Sequence, residues 1–321
     1  MKTRPLSQTG FHVSCLALGT LRYGTLNTYA ESAELMDIYF DAGGRFIDTA
    51  NSYNQWCPGG KGGESEVTIG RWMRERNNRD QLFLASKVGF GYPGVDDGLK
   101  AATIISECEG SLRRLGTDHL DLYYAHKDDV HTPLAETLEA FHRLVQSGKV
   151  RLVGASNYQA WRLADADAMC DRHGWPRFAC VEQRYTYLRP VPGADFSPQR
   201  LIDDNLSRYC QSRGLTMLPY TPLLRGAYVR SDKVIPRSYQ GPDTGARLRA
   251  LHQVAQEQQA TPLQIVLAWM MQRQPPLLPI FSADTPAHMR ENLKALDIQL
   301  TPAQLTRLET AGNVPNEDPQ E

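Results

Sequence analysis

The strongest constraint in this chain is an alternation. Eight short apolar runs are separated by longer segments with helical periodicity, in strand-then-helix order, over nearly the whole of its 321 residues. The runs are VSCLALGT ending at Thr20, RFIDTA ending at Ala50, LFLASKV ending at Val88 and LDLYYAH ending at His126. VRLVGASN ending at Asn157, FACVEQRY ending at Tyr185, LTMLPYTPL ending at Leu223 and PLLPIF ending at Phe281 complete the set. Their apolar character is mostly continuous, as in parallel strands covered on both faces. Between them, Ala30–Ala42 lines up Leu35, Ile38 and Tyr39, and Pro133–Leu144 lines up Leu134, Leu138 and Phe141. Thr132-Pro133 and Thr261-Pro262 read as helix starts, and Gly43, Gly116, Gly148 and Gly174 as helix stops.

Eight strand signals in this order predict a (β/α)8 barrel, after an N-terminal turn segment at Arg4–Gly10. A two-domain doubly wound sheet is the rival. No linker, charge block or repeat divides the chain, so residues 1–312 are expected to form one barrel unit, with a polar tail at 313–321.

Composition excludes several classes of function. Lys and Arg total 35 against 36 Asp and Glu, a net charge of −1, which gives no electrostatic basis for nucleic-acid binding. No apolar run is long enough to span a bilayer, and the start lacks a signal-peptide core, so a cytoplasmic location is expected. The six scattered cysteines form no Cys-x-x-Cys pair, and no metal-ligand spacing appears, so free thiols and no metal are expected.

GFGYPG at Gly89–Gly94 matches the dinucleotide-binding pattern literally. Turn residues continue through Asp96-Asp97-Gly98, however, and no helix begins before about Leu99, so the segment reads as a loop. GGKGG at Gly59–Gly63 is no phosphate loop, since glycine rather than Ser or Thr follows its lysine.

Four ionisable residues fall at or beyond the C-terminal ends of three successive strands: Asp48, Tyr53, Lys87 and His126. In a barrel those ends converge on one face. Each alone has an ordinary reading: Asp48 as a helix cap, Tyr53 as a loop aromatic, His126 as a hydrogen-bonded strand end. A lysine closing an apolar strand is harder to explain without a carboxylate partner. Together the four suit carbonyl reduction. Tyr53 would donate a proton to the developing alkoxide, Lys87 would lower the phenol's pKa, Asp48 would hold Lys87, and neutral His126 would orient the carbonyl. None donates hydride, so a nicotinamide cofactor is implied.

FIDTANSY, LASKV and LYYAH, with the opening RPLSQTGFHVSCLALGT, resemble the aldo-keto reductase family from about residue 4 to residue 312. The resemblance implies NAD(P)H-dependent, reversible reduction of an aldehyde, ketone or aldose, with Asp48, Tyr53, Lys87 and His126 as the catalytic set. Alternatives on the same fold are an NAD-linked sugar dehydrogenase working oxidatively and a cofactor-binding regulatory subunit. The resemblance further assigns Ser156, Asn157 and Gln183 to the nicotinamide carboxamide and Tyr220 to its ring face. Thr221, Pro222, Leu223, Arg225 and Gly226 would follow the pyrophosphate, with Gly19, Thr20 and Asp48 beneath the cofactor. Ser282, His288, Glu291 and Asn292 would lie at the adenosine end.

This chain departs from the family in several places, Lys127-Asp128-Asp129 after His126 among them. Asn54 stands where Gly is common, the loop Asn54–Glu66 is lengthened, and Ser282 and His288 replace the usual phosphate-binding cations, with Asp284 between them. NADP(H) is favoured over NAD(H) on family grounds alone, and Arg290 offers a substitute cation. Tyr53, Trp56 and His126 are the candidate substrate contacts, whereas Lys127 and Asp128 read as structural. Polar loops at Asn54–Glu66, Arg189–Arg200 and Arg225–Gly245 imply an open, hydrophilic pocket and a sugar-like or small polar carbonyl.

Overall fold

The structure is a computed structural model, and it describes residues 1–313 apart from Ser231. The tail expected at 313–321 thus lies outside the described residues, Asn313 excepted. An antiparallel hairpin opens the chain, β1 (Thr3–Pro5) against β2 (His12–Ser14), with Thr3 opposite Ser14. Eight parallel strands follow: β3 (Ala17–Gly19), β4 (Phe46–Asp48), β5 (Phe83–Val88) and β6 (Leu120–Ala125), then β7 (Val150–Ser156), β8 (Cys180–Arg184), β9 (Thr216–Tyr220) and β10 (Ile280–Phe281). Their spatial order is β10-β3-β4-β5-β6-β7-β8-β9. The Leu278 N–H donates to Met217 O at 3.1 Å across the remaining seam, so the sheet is a nearly closed barrel.

Helices α1 (Tyr29–Asp41), α2 (Glu64–Arg76), α3 (Ala101–Leu115), α4 (Leu134–Gln146), α5 (Ala160–His173) and α6 (Asp204–Arg213) each follow one barrel strand. Two helices follow β9, α7 (Thr244–Glu257) and α8 (Pro262–Gln272), and two follow β10, α9 (Pro286–Leu293) and α10 (Pro302–Thr310). Thr261 caps α8 in a reciprocal box with Gln264, as its Thr-Pro start predicts. At α4 the cap position is Pro133 instead, with no side-chain cap, and the Thr132 hydroxyl donates to Asp129 at 2.6 Å. Gly116 and Gly174 end α3 and α5 in the left-handed conformation that glycine adopts without strain. Among the described residues no helix is long and apolar enough to cross a membrane.

Side-chain alternation along the strands positions the site. Phe46, Ala85, Leu122, Tyr124, Cys180 and Leu218 point inward and form the barrel's inner core. Ile47, Leu84, Tyr123, Val181 and Met217 point outward into the larger core beneath the helices. The hairpin plugs the N-terminal end with Leu6 and Val13, and Ser7 ties it to β9 by accepting from and donating to the Thr216 region. One inward step beyond Phe46, Ala85 and Cys180, at the opposite end, stand Asp48, Lys87 and Glu182. The GFGYPG segment is a loop, as read: Tyr92 and Val95 close a tight turn and α3 begins at Ala101.

Candidate active site

The strand ends surround a cavity of about 1150 Å³, whose walls include Asp48, Tyr53 and His126. Lys87 lies fully buried beneath them. Its ammonium donates to Asp48 Oδ1, to Thr49 O at 2.9 Å and to Tyr53 Oη at 3.0 Å. The His126 ring stands edge-on to Tyr53, with centroids 5.9 Å apart, and edge-on to Phe90 at 4.7 Å. All four residues expected from the sequence therefore meet in one place.

Sequence reasoning missed a fifth. Glu182 is buried on β8, lines the same cavity, and brings Oε2 within 3.6 Å of Lys87 Nζ. Its signal lay in the parity of FACVEQRY. Cys180 faces inward, so Glu182 must do so too, and a carboxylate at that position in an apolar strand calls for a partner.

Burial alone would strip the proton from Lys87, but Asp48 and Glu182 reverse this and hold it charged. Burial also raises both carboxyl pKa values against the pull of Lys87, Asp48 above the usual range and Glu182 to about 8. Tyr53 corrects an expectation. Lys87 does favour the phenolate, but burial outweighs it, and Asp48 and Glu182 add to burial, so the phenol's pKa is raised rather than lowered. Tyr53 is thus a neutral phenol held against a cation. Burial, with Lys87 and Lys127 nearby, pushes His126 well below its ordinary value, so its imidazole is neutral at pH 7. The arrangement offers a proton donor, a neutral hydrogen-bonding ring and a fixed positive charge, all at the floor of one cavity.

A sequence profile described as the Aldo/keto reductase family matches residues 15–313. The chain belongs to that family. It is similar to a norsolorinic acid reductase, stcV, of Emericella nidulans, with 30% identity over 94% of this chain and 78% of that protein. It is also similar to an uncharacterized oxidoreductase, YrpG, of Bacillus subtilis, with 30% identity over 92% and 91% of the two chains. Among solved structures it resembles a thermostable aldo-keto reductase, Tm1743, in complex with the inhibitor epalrestat. That match has a TM-score of 0.77 at 29% identity, over 97% of this chain and 100% of that one.

In this aldo-keto reductase the departures have physical accounts. Asn54 has φ +76°, a left-handed conformation that asparagine tolerates better than most residues, so it can replace glycine there. Its amide accepts from Thr25 Oγ1 at 2.6 Å and donates to Tyr23 O at 2.8 Å, tying the Tyr53 loop to the loop after β3. Asn51 in the same loop donates to Glu107 at 2.8 Å, and Tyr92, near Phe90, donates to the same carboxylate. Lys127 pairs with Asp97, and Asp128 with Arg162 at 3.0 Å.

Gly19, Thr221, Pro222, Leu223, Arg225 and Gly226 line the cavity, as do Tyr220 and, at its far end, Ser282, His288, Glu291 and Asn292. Thr221, Leu224 and Arg225, all on the cavity wall, have positive φ, a conformation strained for residues other than glycine. Thr20 lies behind the wall with its hydroxyl on Asp48 O at 2.8 Å. Asn157 faces the cavity, but its amide is engaged: Nδ2 donates to His126 O at 2.9 Å, and Oδ1 accepts from Tyr220 Oη at 2.7 Å. Ser156 and Gln183 are buried beside it, and Gln183 Oε1 has no hydrogen-bond partner.

One expectation fails. Arg290 turns to Glu34 on α1, 3.8 Å away, and is absent from the cavity wall. Asp284 is paired with Arg22 at 3.2 Å, so its charge is compensated from the loop after β3. The pocket wall is mixed rather than hydrophilic throughout: the polar loops contribute Gln55, Ser197, Gln199, Arg225 and Arg230 but also Trp56, Phe196 and Val229, and Leu21, Leu26 and Phe90 add further apolar surface from neighbouring loops.

Proposed function

We propose that this chain reduces the carbonyl of an aldehyde or ketone with an aromatic or bulky apolar body, reversibly, with a nicotinamide nucleotide and with Tyr53 as proton donor. The observation that carries the reading is the 3.0 Å contact between Tyr53 Oη and the buried Lys87 ammonium. As Tyr53 gives its proton to the alkoxide, its phenolate forms against a positive charge already in place, with no reorganisation to drive. His126, neutral, offers a hydrogen bond that steadies the carbonyl oxygen. Asp48 fixes the Lys87 ammonium. In the oxidative direction the same phenolate takes the proton back. Trp56, its ring edge-on to Tyr53 at 6.3 Å, and Phe90 favour aromatic or apolar substrates over aldoses.

The residues present fit the cofactor. Two buried acceptors lack partners, Gln183 Oε1 and Asn292 Oδ1, and a carboxamide and an adenine amino group are the kinds of donor that would satisfy them. Ser156 Oγ accepts from Asn157 Nδ2 at 3.0 Å and keeps its own proton free to donate. Arg225 lines the cavity and supports NADP(H) over NAD(H) in place of the cations missing at Ser282 and His288, whereas Arg22 and Arg230 are paired with Asp284 and Asp232. When bound, the nicotinamide supplies the hydride.

Tyr53→Phe is the test. Reduction of 4-nitrobenzaldehyde should fall by about 10²–10⁴-fold. Fluorescence titration with NADPH and NADH in parallel should give unchanged affinities and the tighter binding for NADPH. Retained turnover would remove Tyr53 from its role, and binding of neither nucleotide would remove the cofactor.

A further inference from the structure

Glu182 has no task in the reaction as described, yet its surroundings are specific. A lysine ammonium has three protons to donate. Those of Lys87 go to Asp48 Oδ1, Thr49 O and Tyr53 Oη, which leaves none for Glu182. Glu182 Oε2 lies 3.6 Å from Lys87 Nζ, and both it and Asp48 Oδ2 are buried without a partner. Two carboxylates facing one ammonium would leave one uncompensated negative charge on side chains that are almost fully buried, which is unfavourable. One proton on the carboxyl pair removes that charge.

We propose that Glu182 is a positioning residue that keeps a proton within the Asp48–Lys87–Glu182 cluster and thereby sets the alkaline limit of proton donation by Tyr53. The inference rests on Tyr53 being the proton donor. With the proton in place the cluster is neutral, and the phenolate forming on Tyr53 meets Lys87 without a second anion close by. When Glu182 gives that proton to solvent, its carboxylate disfavours the phenolate, and Tyr53 becomes a weaker acid. The groups that face Glu182 are Asp48 on β4, Tyr53 beyond it, Lys87 on β5, Tyr124 on β6, Cys180 on its own strand and Tyr220 on β9. Burial keeps the tyrosines and the thiol neutral, so Asp48 and Lys87 supply the charge. With Glu182 raised to about 8, the change falls just above neutrality.

Glu182→Gln keeps the side chain's size and cannot ionise. In wild type, kcat for reduction should decline above about pH 8; in the variant the plateau should extend about one pH unit further, a gain of about tenfold at the alkaline end. A second readout needs no turnover. Infrared difference spectra of the purified protein between about pH 7 and about pH 9 should show loss of one carboxylic-acid C=O band, and that band should be missing in Glu182→Gln. Superimposable kcat profiles would overturn the proposal, and so would the absence of the band from wild type, a measurement that stands even if the variant does not fold. If wild type reduces no carbonyl while the band behaves as expected, the function has failed and the proton on Glu182 has not.

Discussion

Two buried carboxylates, at opposite ends of the barrel, show how the same chemical group serves two purposes. Asp121 opens β6 at the N-terminal end and is 1% exposed. It accepts from the Leu84 N–H at 2.9 Å, from Arg151 at 2.7 Å and from Arg79 at 2.9 Å. Both of its oxygens are occupied, and cations outnumber it. Glu182, 3% exposed at the C-terminal end, shares a single ammonium with Asp48 and keeps an oxygen without a partner. Saturated pairing makes a joint. Under-compensation, next to a cavity, makes a group whose proton has work to do.

The most severe way to break this contrast is to remove the shared cation. Lys87→Met leaves Asp48 and Glu182 with no opposite charge and Tyr53 with no counter-ion. Turnover should drop by about 10³-fold or more, with the cofactor still bound, as measured by kcat and nucleotide titration on protein whose circular dichroism is native. A variant with a tenth of wild-type kcat would show that the ammonium is only a support. Cutting the joint at the other end should do the reverse. Asp121→Ala orphans the Leu84 N–H and removes the counter-ion of Arg151 and Arg79, and should cost about 2–3 kcal/mol of stability in urea titration. The loss stays at the low end because the Arg151 side chain is 49% exposed. Its kcat should remain within about twofold of wild type, and a large loss of kcat would erase the distinction between the two ends.

The cavity rim sharpens the comparison on a smaller scale. Trp56 is 55% exposed, lines the cavity and stands in an edge arrangement with Tyr53. Trp56→Ala should raise KM for an aromatic aldehyde about fivefold, roughly 1 kcal/mol, while kcat stays level. A short-chain aliphatic aldehyde should show almost no change. Equal effects on the two substrates would argue against an aromatic-binding rim.

The parts of the molecule that were legible in the sequence share a feature: they depend on pattern along one element. The alternation of apolar runs and helical segments specifies the barrel, and the positions of Asp48, Tyr53, Lys87 and His126 at strand ends specify where they converge. What stayed hidden depends on which way a side chain turns. Glu182 sits in an apolar run that reads as continuously buried, and only the inward parity of Cys180 brings it to Lys87. The direction of Arg290, the pairing of Arg22 with Asp284, and the choice of which loop side chains reach the cavity wall are likewise properties of packing between elements, to which composition is blind. The sign of the Tyr53 shift was out of reach for a related reason: the sequence names the cation beside the phenol, but not how much water the fold removes from it.

His126 carries the smallest expected effect on turnover, which is none across the range where a histidine ordinarily titrates. Its imidazole is buried beside the Lys87 charge, its Nδ1 lacks a partner, and its pKa lies well below 6.5. Reductive kcat should therefore be flat through pH 6.5, and a limb there would mean that the ring is charged and cannot act as described. Stability should respond where turnover does not. Below about pH 6.5 the unfolded chain binds a proton at this histidine and the folded chain does not, so this residue's contribution is lost as pH falls, by up to about 1.4 kcal/mol per unit. Glu182 works in the opposite sense between 4.5 and about 8, because its folded form keeps a proton that its unfolded form releases. The wild-type curve alone thus mixes two slopes. Their separation comes from His126→Gln, whose stability relative to wild type should rise as pH drops below 6.5, while a difference independent of pH would place the histidine in a wetter, less strained setting than the cavity floor.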